Sequence, residues 1–424
     1  MLPTVRASST RPALLARAVG VVAAFSLIGC TGTSEAASPA DDSSAVSTTA
    51  VTTTTSTTVR PDVPPPDFEL LSPEAAGFDP AKLDSIRIDA ETAGSTCFLV
   101  MRDGHVVSES YWRGGGRSLP QEVWSMSKSF TSALVGLAQA DGDLSIEDRA
   151  SKYITEWAGG PSNEVTVRNL LSADSGRSWD YVTDYLKMAA GAKDKTAFSI
   201  ALGQDTPPRT KWVYNNAAVQ TLSRVLSVAT GKEPAVFAEG ELFEPLGMAD
   251  TSIKSDPSGH SLSFMGVQST CRDVARFGAL FLANGQWGSE QIIPSEWVDE
   301  SLSPSQDLNK GYGLLWWLNT PGLTGDGQRA TDGGVATPTT TTDATRTNPE
   351  TTPGTTGADS HKQMALGAPE DMFWALGLGD QILQMDPGSN TIVVRLGPAG
   401  TPPGATTFHQ TDTARVVTEA LVSR

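Results

Sequence analysis

The chain has few cysteines and histidines, and it has less positive than negative charge. Three cysteines in 424 residues are too few for a disulfide scaffold. Four histidines, with no His-Glu-x-x-His and no Cys-x-x-Cys, leave no sequence case for a metal site or another cofactor. With 31 Lys+Arg against 48 Asp+Glu the net charge is -17, which argues against a nucleic-acid partner, because phosphate binding needs a basic footprint. There is no Gly-x-Ser-x-Gly, which argues against an α/β-hydrolase. No repeat is seen at periods of 20 to 50 residues. Hydrophobic residues make up 39% and charged residues 19%, enough to bury a large core.

The N-terminus reads as a separate object. Arg6, Arg11 and Arg17 precede an apolar run from Ala18 to Ile28, too short to span a membrane and of the length of a secretory signal. The run ends Leu27-Ile28-Gly29-Cys30, a pattern that looks like a bacterial lipobox with Cys30 as the lipid attachment site; an ordinary cleaved signal is the alternative. The reading is a lipoprotein signal peptide over 1–29, which places the protein outside the cell, anchored by lipid to the outer face of the bacterial membrane. Removing 1–29 takes away three Arg and no acid, leaving 28 basic against 48 acidic side chains, so two acyl chains would have to hold it without electrostatic help. Residues 30–66 are rich in Thr, Ser, Ala and Pro and have little to bury, so they read as a disordered tether. A similar tract at about 333–361 interrupts apolar sequence and reads as a surface-loop insertion, either an access control for large substrates or a segment with no role.

From 67 to 424 the pattern is globular. Asp79-Pro80 opens a helix over 81–93, and two strand-like runs at 96–101 and 105–111 flank the turn Asp103-Gly104. Residues 126–248 read as helical, most clearly at 129–140 and 217–230. Strand-like runs return at 311–319, 373–385 and 391–396, and 411–422 reads as a closing helix. The expected architecture is an α/β fold in which an antiparallel sheet is flanked by terminal helices and carries an inserted all-helical lobe.

Chemistry enters at Trp124-Ser125-Met126-Ser127-Lys128, the one Ser-x-x-Lys of the chain. At a helix start this spacing puts a hydroxyl and an amine one turn apart on one face, with the helix N-terminus favouring a developing oxyanion. Tyr214-Asn215-Asn216 then supplies a proton-transfer group and an amide two residues apart. Neither motif is specific alone; together, in this order, they point to nucleophilic catalysis by serine.

With these residues in view, the chain resembles the serine hydrolases related to class C β-lactamases and penicillin-binding proteins. Further support comes from the segment 166–176 ending Ser175-Gly176, Leu242 to Met248, Ser269 to Phe277, and Gly311 to Trp317. The resemblance implies a β-lactamase/transpeptidase-like fold and an acyl-enzyme on Ser125. It makes Lys128 the base and Tyr214 the proton relay and, in deacylation, the group that activates water with support from Lys128. It also implies that Asn216 orients Lys128 and the substrate carbonyl, and that the oxyanion hole is built from the N–H groups of Ser125 and Leu378, beside Gly377. The family's third motif usually carries a lysine or histidine, but here the stretch reads Phe373-Trp374-Ala375-Leu376-Gly377, with Ala375 in that place. This Ala-x-Gly form is most similar to 6-aminohexanoate-dimer hydrolases and carboxylesterases of the same fold. The expected substrate is therefore a small-molecule ester or amide. A β-lactamase or D-alanyl-D-alanine carboxypeptidase is one alternative and a catalytically silent surface binding protein another. Asp380, where glycine is common, leaves the local strand geometry open. Cys97 and Cys271 fit either a disulfide or two buried thiols, and Trp179, Asp180 and Tyr181 fit either an acyl pocket or loop packing, whereas Trp316 and Trp317 read as core.

Overall fold

A computed structural model describes residues 68–322, 363–400, 402 and 404–422. The expected signal peptide, Cys30, the tether and the insertion at 333–361 lie outside the described residues. The Asp103-Gly104 turn forms as its composition dictates: both residues have positive φ, 49° and 77°, which Asp tolerates and Gly adopts freely. It joins β1 (Cys97–Arg102) to β2 (His105–Tyr111). The sheet continues with β3 (Trp317–Leu318), β4 (Phe373–Gly377), β5 (Gln381–Asp386) and β6 (Thr391–Leu396), all neighbours antiparallel, in the order β2-β1-β6-β5-β4-β3. The C-terminal strand thus pairs with the N-terminal one, Cys97 opposite Leu396 and Arg102 opposite Thr391.

Strand β1 is buried on both faces, and its two faces serve two cores. Phe98 and Val100 join Leu83, Ile86, Phe408, Val416 and Ala420 in a core under the terminal helices. Cys97, Leu99 and Met101 join the larger core of the helical lobe. The covering helices are α1 (Pro80–Thr92), capped by the Asp79 carboxylate on the Ala81 and Lys82 N–H groups, and the closing pair α7 (Gln410–Arg415) with the π-helical turn Val416–Ala420.

The lobe is built around α2 (Ser127–Ala140), whose residues from Ser127 to Ala138 are all buried, the polar Ser127, Lys128, Ser129, Thr131 and Ser132 of its first turns included. About it lie α3 (Val167–Leu171), a π-helix at Val182–Gly191, α4 (Asn216–Gln220) and α5 (Leu222–Thr230), with α6 (Cys271–Leu282) packed between lobe and sheet. An aromatic column crosses that junction. Phe130 of α2 stacks on Phe277 of α6 at 3.9 Å, Phe277 lies 5.7 Å from Trp316, and Trp316 meets Phe373 of β4 edge-on at 5.6 Å. Trp316 and Trp317 are both core.

One expectation changes and one open question resolves. The strand expected over 311–319 contracts to Trp317–Leu318, because the chain before it loops onto the lobe: Leu315 takes φ 63° and its N–H donates to the Leu171 carbonyl, while Tyr312, Leu314 and Trp316 are buried as packing residues. The question left open for Cys97 and Cys271 resolves as a disulfide between β1 and α6, with Cα atoms 6.5 Å apart. Beside it Arg272 donates to Glu109 of β2 through two nitrogens at 2.7 and 2.8 Å, and the Tyr111 hydroxyl donates to the same carboxylate at 2.5 Å. The separation of these elements in sequence concealed their contact in space. Among the described residues no helix is long and apolar enough to cross a membrane.

Candidate active site

Ser125 lies on a 3-10 turn, Trp124–Met126, that leads directly into α2. The bend is made at Trp124, whose φ of 51° is a left-handed conformation costing a bulky residue about 1–3 kcal/mol. One turn on, Lys128 is 2% exposed, and its ammonium is surrounded by three acceptors: Ser125 Oγ at 2.9 Å, Asn216 Oδ1 at 2.8 Å and the Phe264 carbonyl at 3.0 Å. Burial pushes the Lys128 pKa down to about 7, with the Asp184 carboxylate pulling the other way. At neutral pH a large fraction of Lys128 is therefore the free amine. Two of the three acceptors, a carbonyl and an amide oxygen, can only accept, so they take the two N–H bonds of that amine. Its lone pair is left facing the Ser125 hydroxyl.

Tyr214 comes from the extended segment before α4. Its ring lies 4.8 Å from Lys128 Nζ and stacks on Trp317 at 5.6 Å, and its hydroxyl interacts with the Ser125 side chain. Burial drives its pKa well above that of an ordinary phenol, so Tyr214 stays protonated and can relay a proton but not store a charge. The capacity to act as a base resides on Lys128.

The end of β4 lies against the turn that carries Ser125. A Cβ on Gly377 would sit 2.2 Å from the Val123 carbonyl oxygen, so the close approach that requires glycine is to the protein's own backbone. Leu378 follows in the loop to β5, and its carbonyl is held by Gln381 Nε2 at 3.0 Å. The question raised by Asp380 has a local answer. It adopts φ 56°, a conformation aspartate tolerates, and its carboxylate meets His409 Nδ1 at 3.0 Å. Ala375 is fully buried, so a methyl group stands where the family's cationic side chain is usual.

The structure thus brings Ser125, Lys128, Tyr214 and Asn216 together and lays the Gly377–Leu378 strand end alongside. Trp179 and Tyr181 remain partly exposed, with Trp179 Nε1 donating to Asp184 at 3.1 Å and Tyr181 stacked on Tyr185. Sequence reasoning missed Asp184, which is 1% exposed on the π-helix. It accepts from Asn216 Nδ2 at 2.8 Å, from the Asn216 N–H at 3.3 Å and from the Ala217 N–H at 2.8 Å. Burial raises its pKa and these donors oppose the rise. Nothing in its surroundings in sequence signals the contact, since 32 residues separate it from Asn216. Phe264 was missed as well, because it meets Lys128 through its carbonyl and the face of its ring, neither of which a sequence motif marks.

Comparison with known proteins places these features. The family model described as Beta-lactamase matches residues 88–409. The 6-aminohexanoate-dimer hydrolase of Paenarthrobacter ureafaciens is 24% identical over 239 residues, 52% of this chain and 60% of the relative's length. Among solved structures, a family VIII carboxylesterase superposes with a TM-score of 0.55 at 14% identity, covering 80% of this chain and 96% of that one. An octameric penicillin-binding protein homologue from Pyrococcus abyssi superposes with a TM-score of 0.53 at 17% identity, covering 76% and 73%. The architecture is the β-lactamase/transpeptidase-like fold.

Proposed function

Because the chain belongs to the Beta-lactamase family, we propose that it is a serine hydrolase that cleaves a carboxylic ester or amide through an acyl-enzyme on Ser125. The observation that carries this reading is the buried Lys128 amine, 2.9 Å from Ser125 Oγ, with a pKa near 7. A base poised near ambient pH can accept the serine proton as attack proceeds.

In acylation the Ser125 Oγ–C bond forms and the hydroxyl proton passes to Lys128 Nζ. The carbonyl oxygen takes negative charge between the N–H groups of Ser125 and Leu378; one such donor typically contributes about 3 kcal/mol. As the C–O or C–N bond breaks, the proton leaves Lys128 through the Tyr214 hydroxyl for the departing oxygen or nitrogen. In deacylation a water loses its proton through Tyr214 to Lys128 and adds to the acyl carbon, and the Oγ–C bond then breaks with return of the proton to Ser125.

Ala375 favours an ester or neutral amide over a β-lactam or a peptide carboxylate, because the side chain there offers no charge to pair with the anion. The likeness to the aminohexanoate-dimer hydrolase supports the amide arm of the proposal. We further propose that residues 1–29 are removed and that Cys30 carries the lipid that holds the enzyme at the outer face of the membrane. The mass of the membrane-extracted protein is then expected to correspond to a chain beginning at Cys30 with acyl chains attached, and a chain with an unmodified Cys30 would count against the anchor.

The function is tested by intact mass after incubating the soluble part with a fluorophosphonate and, separately, with a penicillin, for wild type and Ser125→Ala. The expected result is a fluorophosphonate adduct on wild type alone and no lasting penicillin adduct. A stable penicillin adduct would instead favour a cell-wall enzyme, and no adduct with either reagent would favour a silent binding protein.

A further inference from the structure

Resting on this reading of Ser125 and Lys128, we propose that Asp184 is a positioning residue of the reaction: by fixing which end of the Asn216 amide faces Lys128, it fixes where the Lys128 lone pair points. The argument starts from a choice that Asn216 would otherwise be free to make. An amide presents an oxygen at one end and two N–H bonds at the other, and the two ends are nearly the same size. If the nitrogen faced Lys128, two donors would oppose each other, and the amine would have to turn its lone pair toward Asn216 and away from Ser125.

Asp184 removes that choice. Its carboxylate can only accept, and it sits 2.8 Å from Asn216 Nδ2, so the amide nitrogen is committed to it and Oδ1 is left at 2.8 Å from Lys128 Nζ. The carboxylate is itself fixed. Oδ1 accepts from the Ala217 N–H at 2.8 Å, and Oδ2 accepts from the Asn216 N–H at 3.3 Å and from Trp179 Nε1 at 3.1 Å. Two of these donors are the first backbone N–H groups of α4, which have no partner within a helix. The carboxylate therefore ties the start of α4, the Asn216 side chain and the π-helix into one unit. Asp184 is 1% exposed, and its contacts run to Asn216, Ala217 and Trp179, so it acts through Asn216 and not on a substrate.

The groups that face this pair come from several elements. Lys128 is met by Ser125 of its own segment, by the Tyr214 ring, by the Phe264 carbonyl and ring, and by the charge of Asp184. Tyr185, next to Asp184 on the π-helix, interacts with the Asn216 side chain and is held protonated by burial. Among these described groups Asp184 is the one whose negative charge favours the Lys128 ammonium, and Asp184→Asn removes it. The same substitution sets an N–H bond against donors that the carboxylate now accepts from, either the Ala217 N–H or those on Oδ2, so the Asn216 amide is no longer held in one orientation.

The experiment measures the rate of Ser125 labelling by a fluorophosphonate from pH 5 to 9 in wild type, Asp184→Asn and the exchanged pair Asp184→Asn/Asn216→Asp. The wild-type rate is expected to rise through a midpoint near 7 as Lys128 loses its proton. In Asp184→Asn the midpoint falls by about one pH unit because the nearby charge is gone, and the plateau falls by about tenfold or more because the lone pair is no longer held on Ser125. In the exchanged pair the amide now at position 184 donates to the carboxylate now at position 216, which again presents oxygen to Lys128. Its plateau recovers by at least about tenfold over the single variant, and its midpoint moves above that of wild type. An Asp184→Asn midpoint equal to the wild-type midpoint, or an exchanged pair that recovers nothing while its thermal unfolding stays cooperative, overturns the positioning role. A wild type that is not labelled at Ser125 overturns both this inference and the reading of the site on which it rests.

Discussion

The guanidinium of Arg395 on β6 donates to the carbonyl of Asp380 at 2.8 Å and to that of Gly379, gripping from behind the loop that carries Leu378. Arg395 is 3% exposed, and its Nε donates to Ser95 Oγ at 2.7 Å. Burial lowers its pKa to about 10, which leaves it charged at neutral pH, with Asp380 the charge that helps to retain the proton. A buried cation whose donors are spent on loop carbonyls and a serine makes that loop rigid. The Leu378 N–H proposed for the oxyanion hole is thereby held in place before any substrate arrives.

Replacing Arg395 by methionine is expected to leave the Gly379 and Asp380 carbonyls without these donors and to cost about 2–4 kcal/mol of stability, read as a lower midpoint in urea unfolding. Ester turnover should fall further than the loss of folded protein accounts for. A variant with unchanged stability and turnover would show that the loop holds its shape without the guanidinium.

Lys128 gives a prediction about stability that does not require a substrate. Its folded pKa of about 7 lies below the 10.5 of a free lysine, so between those values the unfolded chain binds more protons than the folded one. Stability should therefore rise with pH across that window, by about 1.4 kcal/mol per pH unit if this group acts alone. Lys128→Met removes the effect. The stability of the variant relative to wild type should be greatest below pH 7 and should decline steadily toward pH 10, as measured by unfolding at matched pH. A constant difference across the window would mean that Lys128 stays charged in the fold.

Gly377→Ala places a methyl carbon 2.2 Å from the Val123 carbonyl oxygen, a contact between backbone groups that no side-chain rotation can relieve. Strand β4 must then move away from the Ser125 turn. The expected loss is about 1–3 kcal/mol of stability and about 100-fold in the rate of Ser125 acylation, the latter read by fluorophosphonate labelling. A variant that acylates at the wild-type rate would show that the alignment of β4 with Ser125 tolerates such a displacement.

Much of this molecule was legible because its signals are local. Asp103-Gly104 specified its turn through backbone sterics, and Asp79-Pro80 specified a helix start through a cap and a fixed φ. Ser125 and Lys128 are three residues apart, so a single helical turn is enough to bring them together. The strand over 311–319 was misread because a run of aromatic and aliphatic residues can satisfy burial in a loop as well as in a ladder, and the contact that decides it is with Leu171, far away in the chain.

The sequence alone determined which chemical groups are present and in what order. It supplied a serine and a lysine at helical spacing, a tyrosine and an amide before a second helix, and a glycine strand end preceded by an alanine where a cation is usual. Tertiary structure decided what those groups can do. The Lys128 pKa falls because a lobe of helices excludes water from it. The Asn216 amide has a defined orientation because Asp184 reaches it from a π-helix 32 residues earlier. Cys97 and Cys271 pair because β1 and α6 pack against each other. Desolvation, hydrogen-bond polarity and cross-linking all depend on what lies within a few ångströms in space, and that distance is not written in the spacing of residues along the chain.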